Sequence, residues 1–283
     1  MLEKAGVSGE GEIMAILTRR TSGARTSTLR NRVKGASRDF FLVHVTSVGA
    51  AREIIRAGKI ETRVCKVFDR QLVYFFAMRP AYKLRGADVK REIIDYFPFV
   101  FLVSAKSLGV PFHVYPFDTG GALDGAFDDG ASPFFYLEDY ALDESLQAVN
   151  NHVEWAFGTA ANYFDGALRA DFTESIPDWD VGPYTFAKIA RLASVGSNRP
   201  DLRSSAIEIA YERHVPLSEV EFAIVPNKFL EDPRGVNTEM TNKLEAADVK
   251  WRSYEWHANR TPADFQFEIN QLVRAHLKSC GQI

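Results

Sequence analysis

The chain has 283 residues, 46% of them apolar and 25% charged, with a formal net charge of −3, a profile that allows a substantial core in one large domain or two small ones. No apolar run reaches the roughly 18 residues needed to span a bilayer, and the first residues lack the layout of a secretory signal, so a cytoplasmic protein with no membrane partner is expected. The two cysteines, Cys65 and Cys280, lie far apart without a CxxC spacing and the six histidines are scattered, which argues for reduced thiols and against a metal centre.

Between Ile13 and Arg38 there is no acid, while Arg19, Arg20, Arg25, Arg30, Arg32, Lys34 and Arg38 are basic. This stretch reads as a flexible basic arm over residues 1–38, either a solvated tail or a contact for a phosphate backbone. It precedes one domain at 39–283. Phe40–Val45 is a short aromatic and β-branched strand signal. Thr46 and Ser47 then cap a helix from about Val48 to Ala57 that stops at Gly58. Gln71–Phe76 is a second strand, stopped by Pro80, and Phe99–Ala105 a third. The Gly/Asp-rich run Asp118–Gly125 reads as a loop or a ligand-lining turn. Leu137–Phe157 fits a helix, with Leu142, Leu146, Val149 and Val153 near helical spacing. Tyr163–Asn198 is rich in Gly, Pro, Asp and aromatics and reads as a substrate-facing lobe, so a long insertion is expected at about 134–198.

Glu208 stands within the run Ala206-Ile207-Glu208-Ile209-Ala210, on the face shared by the two alanines. A strand-centre Glu is either a solvated edge position or a site residue, because Glu is depleted in strands and seldom buried unpaired. Val220–Val225 is a further strand, Asn237–Ala247 a short helix and Val249–Trp256 another strand. Thr261 opens a final helix to about Lys278, with Pro262 at its first position. Strands and helices alternate without a βαβ rhythm, which favours α+β. Neither GxGxxG nor GxxxxGK[ST] is present, so a nucleotide would need another architecture.

Four segments line up in chain order with one family: His44-Val45-Thr46 with the helix ending at Gly58, Tyr74-Phe75-Phe76-Ala77-Met78-Arg79-Pro80-Ala81-Tyr82, the Asp118–Gly125 run, and Arg203 through the Glu208 strand to Val215-Pro216-Leu217. Together they resemble the DarT-type ADP-ribosyltransferases, toxin enzymes that use NAD+ to modify single-stranded DNA. The resemblance spans roughly Phe40 to Val225, with gaps; the arm and the 134–198 region do not align, and Asp118-Thr119-Gly120-Gly121 replaces an Asp-Gly-Asn type of loop. It implies an α+β fold with a split mixed and antiparallel sheet core and flanking helices. It further implies NAD as co-substrate, Glu208 and Arg79 as catalytic residues, His44, Thr46, Tyr74 and Tyr82 on the NAD, and Arg203 on the substrate. A nucleic acid acceptor, single-stranded DNA ahead of RNA, and a macrodomain antitoxin are the implied partners of a toxin or anti-phage effector. The chemistry suits these residue types, since a carboxylate beside the ribose stabilises the positive charge that develops as nicotinamide leaves. NAD glycohydrolysis, RNA 2′-phosphotransfer and a catalytically inactive nucleotide-binding module are the alternatives.

Overall fold

The computed structural model describes residues 15–20, 27–30, 32–81, 86–177, 179–193, 201–232 and 235–283. Its centre is an eight-stranded sheet. In chain order the strands are β1 (Phe41–Ser47), β2 (Arg63–Cys65), β3 (Arg70–Ala77), β4 (Pro98–Ser104), β5 (His113–Tyr115), β6 (Glu208–Tyr211), β7 (Val220–Pro226) and β8 (Lys250–Tyr254). They lie side by side in the order β8, β7, β4, β1, β3, β6, β5, with β2 paired to β3. All neighbours are antiparallel except β8 and β7, so the sheet is mixed and the fold α+β.

β4 is apolar along its length and buried on both faces, as a central strand covered on two sides must be. β1 pairs with β4 over its whole length, from Phe41 opposite Ser104 to Ser47 opposite Pro98. Its other neighbour is different. β1 and β3 pair only at Leu42 with Ala77 and Val43 with Phe76, and beyond Val43 the sheet splits. Continuing that register would set Val45 opposite Tyr74, and the strands part before that pair forms.

Helix α1 (Val48–Ala57) begins where the sequence places it. The Ser47 side chain accepts from the Ala50 amide, and Gly58 closes the helix at φ 69, a left-handed conformation that glycine adopts without a Cβ clash. Its buried stripe is Val48, Ala51, Ile54 and Ile55. At the far end, a capping box between Thr261 and Asp264 leads into the final helix, Gln266–Ser279, which buries Ile269, Val273 and Leu277 at four-residue spacing.

Three expectations are corrected. The Asp118–Gly125 run is not all loop, because Asp118 caps a short helix α2 (Thr119–Leu123) by accepting from the Gly120 amide. Residues 137–157 are not one helix: a 3-10 turn at Leu137–Tyr140 is separated from a helix at Leu146–Ala156 that starts only at the Ser145 cap. The segment after Tyr163 is not a lobe outside the core. Tyr163, Phe172, Phe186 and Ile189 are buried in the main cluster, and the Tyr163 hydroxyl donates to the Ala77 carbonyl while accepting from the Ile207 amide, both at 2.9 Å.

The described residues of the basic arm lie against the body. Leu17 and Leu29 are buried, and Arg19, Arg20, Arg30 and Arg32 meet Glu138, Asp139, Asp143 and Asp180. The acids that neutralise these cations come from segments more than a hundred residues away, so they leave no trace in the local charge pattern. No described helix is long and apolar enough to cross a membrane, and both cysteines are free.

Candidate active site

The split between β1 and β3 opens a cleft of about 720 Å3. His44 bridges the two strands just beyond the point where they part. With β1 turned away, the Tyr74 carbonyl accepts instead from His44 Nδ1 at 2.9 Å, so in the neutral ring Nε2 is an acceptor for a ligand. Burial lowers the His44 pKa against the pull of that bond, and the Arg63 charge lowers it further, which keeps the ring neutral. His44 Nε2 would therefore accept from a ligand rather than donate to it. Val45 and Thr46 continue the same wall. Because backbone pairing alternates along an antiparallel strand and Met78 donates to the Phe41 carbonyl, the amide and carbonyl of Val45 are the ones aimed across the split.

Glu208 starts β6, opposite Phe76 on one side and Tyr115 on the other. It is an interior position, not an edge. Its carboxylate is 3% exposed yet reaches the cleft lining together with Asp118, Thr119 and Gly120. The Thr119 amide donates to Oε2 at 3.1 Å, the Thr119 hydroxyl to Oε1 at 2.7 Å, and His113 Nε2 lies 3.1 Å from Oε1. Burial pushes the Glu208 pKa up to about 7 against the Thr119 bonds. Asp118 is also raised to about 7, by burial first and the neighbouring Glu208 second, with Arg203 pulling the other way. The two acids thus titrate as a pair near neutrality.

Tyr74, on β3, stands on the same side of the split as Glu208 and across it from β1. Its ring centroid is 5.7 Å from that of His113 and its hydroxyl donates to Cys65 Sγ at 2.9 Å. Burial raises its pKa strongly, with Glu208 adding to it, so the phenol stays protonated.

The structure thus brings Glu208, His44, Thr46 and Tyr74 to one cleft. Arg79 and Arg203 are not in its lining. Arg79 is buried past the end of β3, where Nη1 donates to the Ser205 carbonyl and hydroxyl at 2.9 and 2.8 Å and the guanidinium lies over the Tyr163 ring. Arg203 bonds Asp201 and, at 3.1 Å, Asp118, so it braces a carboxylate of the site from behind. Tyr82 lies outside the described residues.

No protein-family model matches the chain, and no curated protein matches it. Its structural neighbours include DarT structures. DarT of Thermus sp. 2.9 in complex with NAD+ is similar at a TM-score of 0.36 and 14% identity, over 75% of this chain and 95% of that one. The same enzyme in complex with ADP-ribosylated single-stranded DNA gives 0.36 and 13%, over 75% and 94%.

The Asp118–Gly125 run, a loop or ligand-lining turn by sequence, supplies Asp118, Thr119 and Gly120 to the cleft lining, whereas local sequence patterns do not single out His113 on the carboxylate, Cys65 under Tyr74, or Arg63 with Lys59 at the mouth. Chemically, the arrangement offers a sheltered carboxylate, a neutral imidazole, an aromatic ring and unpaired strand backbone around one apolar-walled space. Among the described residues, no three His, Cys, Asp or Glu side chains gather as a metal site would require.

Proposed function

We propose that this protein is an NAD+-dependent mono-ADP-ribosyltransferase acting on nucleic acid, with single-stranded DNA as the favoured acceptor. The observation that carries the reading is the placement of Glu208, buried and held by three donors, at the floor of a cleft opened by the parting of β1 and β3. The cleft volume suits a ligand of this size, and its residues fit the parts of NAD+. The backbone of Val45 would pair with the carboxamide, the Tyr74 ring would face the nicotinamide, and His44 Nε2 would accept from a ribose hydroxyl. Arg63, at the mouth, would face the diphosphate. Ionised Glu208 would stabilise the positive charge on the ribose as the glycosidic bond to nicotinamide breaks and would then take the proton of the attacking nucleophile. Arg79 would hold Ser205 and so fix the entry to the Glu208 strand.

The test is transfer of the ADP-ribosyl group, with release of nicotinamide, from NAD+ labelled in its ADP-ribose part to single-stranded DNA, RNA and protein offered side by side. Label on DNA that is lost in Glu208→Gln supports the reading; release of nicotinamide with no labelled acceptor rejects transfer. One observation favours hydrolysis of NAD+ as a second reading: Arg19, Arg20, Arg30 and Arg32 of the arm are spent on body acids, and those charges were part of the expected hold on a phosphate backbone. A toxin role and a macrodomain antitoxin would follow from the transferase reading, with loss of growth on expression as their first test.

A further inference from the structure

We propose that Arg19 is a positioning residue for this site, acting through Phe68 on the His113–Glu208 pair. The proposal deepens the transferase reading, since the carboxylate being positioned is the one that reading uses.

Residues 15–20 form a strap on the body. The Ile16 amide donates to Asp128, the Leu137 amide donates to the Thr18 carbonyl, Leu17 is buried, and Glu138 takes the Arg20 amide at 2.9 Å. This anchoring aims Arg19 at the turn that joins β2 to β3. Its Nε donates to Glu138 Oε1 at 2.5 Å, its Nη1 to the Val67 carbonyl, and its guanidinium carbon lies 4.5 Å from the centre of the Phe68 ring. A planar fork that bonds in its own plane while its face stacks on a ring is a use of arginine that lysine cannot copy.

The turn that Arg19 grips is part of the site. Val67 lines the cleft. Phe68 packs on His113 with ring centroids 4.5 Å apart, and His113 meets Glu208. Phe68 therefore covers the far side of the imidazole that supports the carboxylate. If the turn lifts, water reaches His113 and Glu208 from behind, and the dry setting that makes the charge effective is lost. The strap comes from the chain's start and Glu138 from its middle, so the tie joins three distant segments at the back of the cleft.

Cys65 reports on the tie without any NAD+. It ends β2 just before the turn, lines the cleft and accepts from the Tyr74 hydroxyl. In a Cys280→Ser background, the rate of Cys65 reaction with an aromatic disulfide reagent should rise about tenfold in Arg19→Ala, as the turn opens more often. Arg19→Lys should fall in between. Arg32→Ala, which removes an arginine of the arm outside the strap, paired with Asp180 instead, should react at the parental rate. A parental rate in Arg19→Ala, or an equal rise in Arg32→Ala, overturns the proposal. In parallel, the acid limb of NAD+ cleavage should move to lower pH in Arg19→Ala and partly return in Arg19→Lys; an unmoved limb overturns the link to Glu208. Should the parental protein cleave no NAD+, the transferase reading fails by itself, and the thiol rates still decide the tie.

Discussion

His44 donates through Nδ1 to the Tyr74 carbonyl at 2.9 Å, at the place where the β1–β3 ladder has stopped. One side chain thus replaces a backbone partner and orients its own second nitrogen toward the cleft. His44→Ala removes both functions: Tyr74 keeps a buried carbonyl without a donor, and the ligand loses an acceptor. The variant should lose about 1–3 kcal/mol of stability and bind NAD+ about 10- to 100-fold more weakly. Denaturant melts and calorimetric titration measure the two effects. Affinity within twofold of wild type would remove His44 from the ligand's surroundings.

Glu208 and Asp118 carry a pH signature in stability. Both are raised to about 7, so their neutral forms favour the fold below the ordinary carboxylate range, and that contribution is lost as pH rises through about 7. Ionising Glu208 in place costs roughly 3 kcal/mol at high pH relative to the unfolded chain. Glu208→Gln escapes that cost. Its melting temperature relative to wild type should therefore climb between pH 5 and pH 8.5, while NAD+ cleavage falls by about a thousandfold. A difference in melting temperature that stays flat across this range would contradict the burial argument.

Part of this architecture is legible in the sequence because it is written locally. The Ser47 cap, the Gly58 stop and the four-residue apolar spacing of the last helix fix those elements from their own residues, and a carboxylate among small and β-branched neighbours marks Glu208. What surrounds Glu208 is not local. Thr119 and His113 are brought to it across 89 and 95 residues, and no short-range pattern encodes such contacts. The glycines of α2 mislead in a similar way. They are poor helix formers, but a Cβ on Gly121 would come within 3.1 Å of Phe127 and 3.2 Å of Arg203, so close packing explains a residue that propensity alone assigns to a loop. The aromatics of 163–189 look irregular along the chain because their burial is decided by the helix Leu146–Ala156 and its end, where Phe172 and Phe186 pack on Trp155 and Tyr163 on Phe157.

On the transferase reading, Thr119 would set the pH at which Glu208 becomes active. Both of its bonds lower the Glu208 pKa against burial. Thr119→Val keeps the shape and removes the hydroxyl donor, so the pKa should rise further. The acid limb of kcat/KM for NAD+ cleavage, expected near pH 7 for wild type, should then move to higher pH, with about 1–3 kcal/mol of stability lost from the under-bonded acid. Thr119→Ser should restore most of both. A limb that stays in place in Thr119→Val would mean that the titrating group is not Glu208.

The resemblance makes Arg79 catalytic, but of Arg63 and Arg79 only Arg63 lines the cleft. Arg63 is exposed at the cleft mouth, where an anionic ligand would meet it in water, so Arg63→Ala should weaken NAD+ binding by about tenfold at low salt and by less as salt screens the charge. Arg79 is 2% exposed, and burial holds its pKa below the usual guanidinium range. Its fork is turned to Ser205, away from the cleft. Arg79→Ala leaves that carbonyl and hydroxyl without their donor and a void beside Tyr163, at a cost of about 2–4 kcal/mol. At a temperature where the variant is still folded, its NAD+ affinity should match wild type. Titrations of the two variants at two salt concentrations, with melts alongside, separate the roles. If Arg79→Ala instead keeps its melting temperature and loses NAD+ binding, the guanidinium must turn toward the ligand, and the assignment of the diphosphate to Arg63 fails with it.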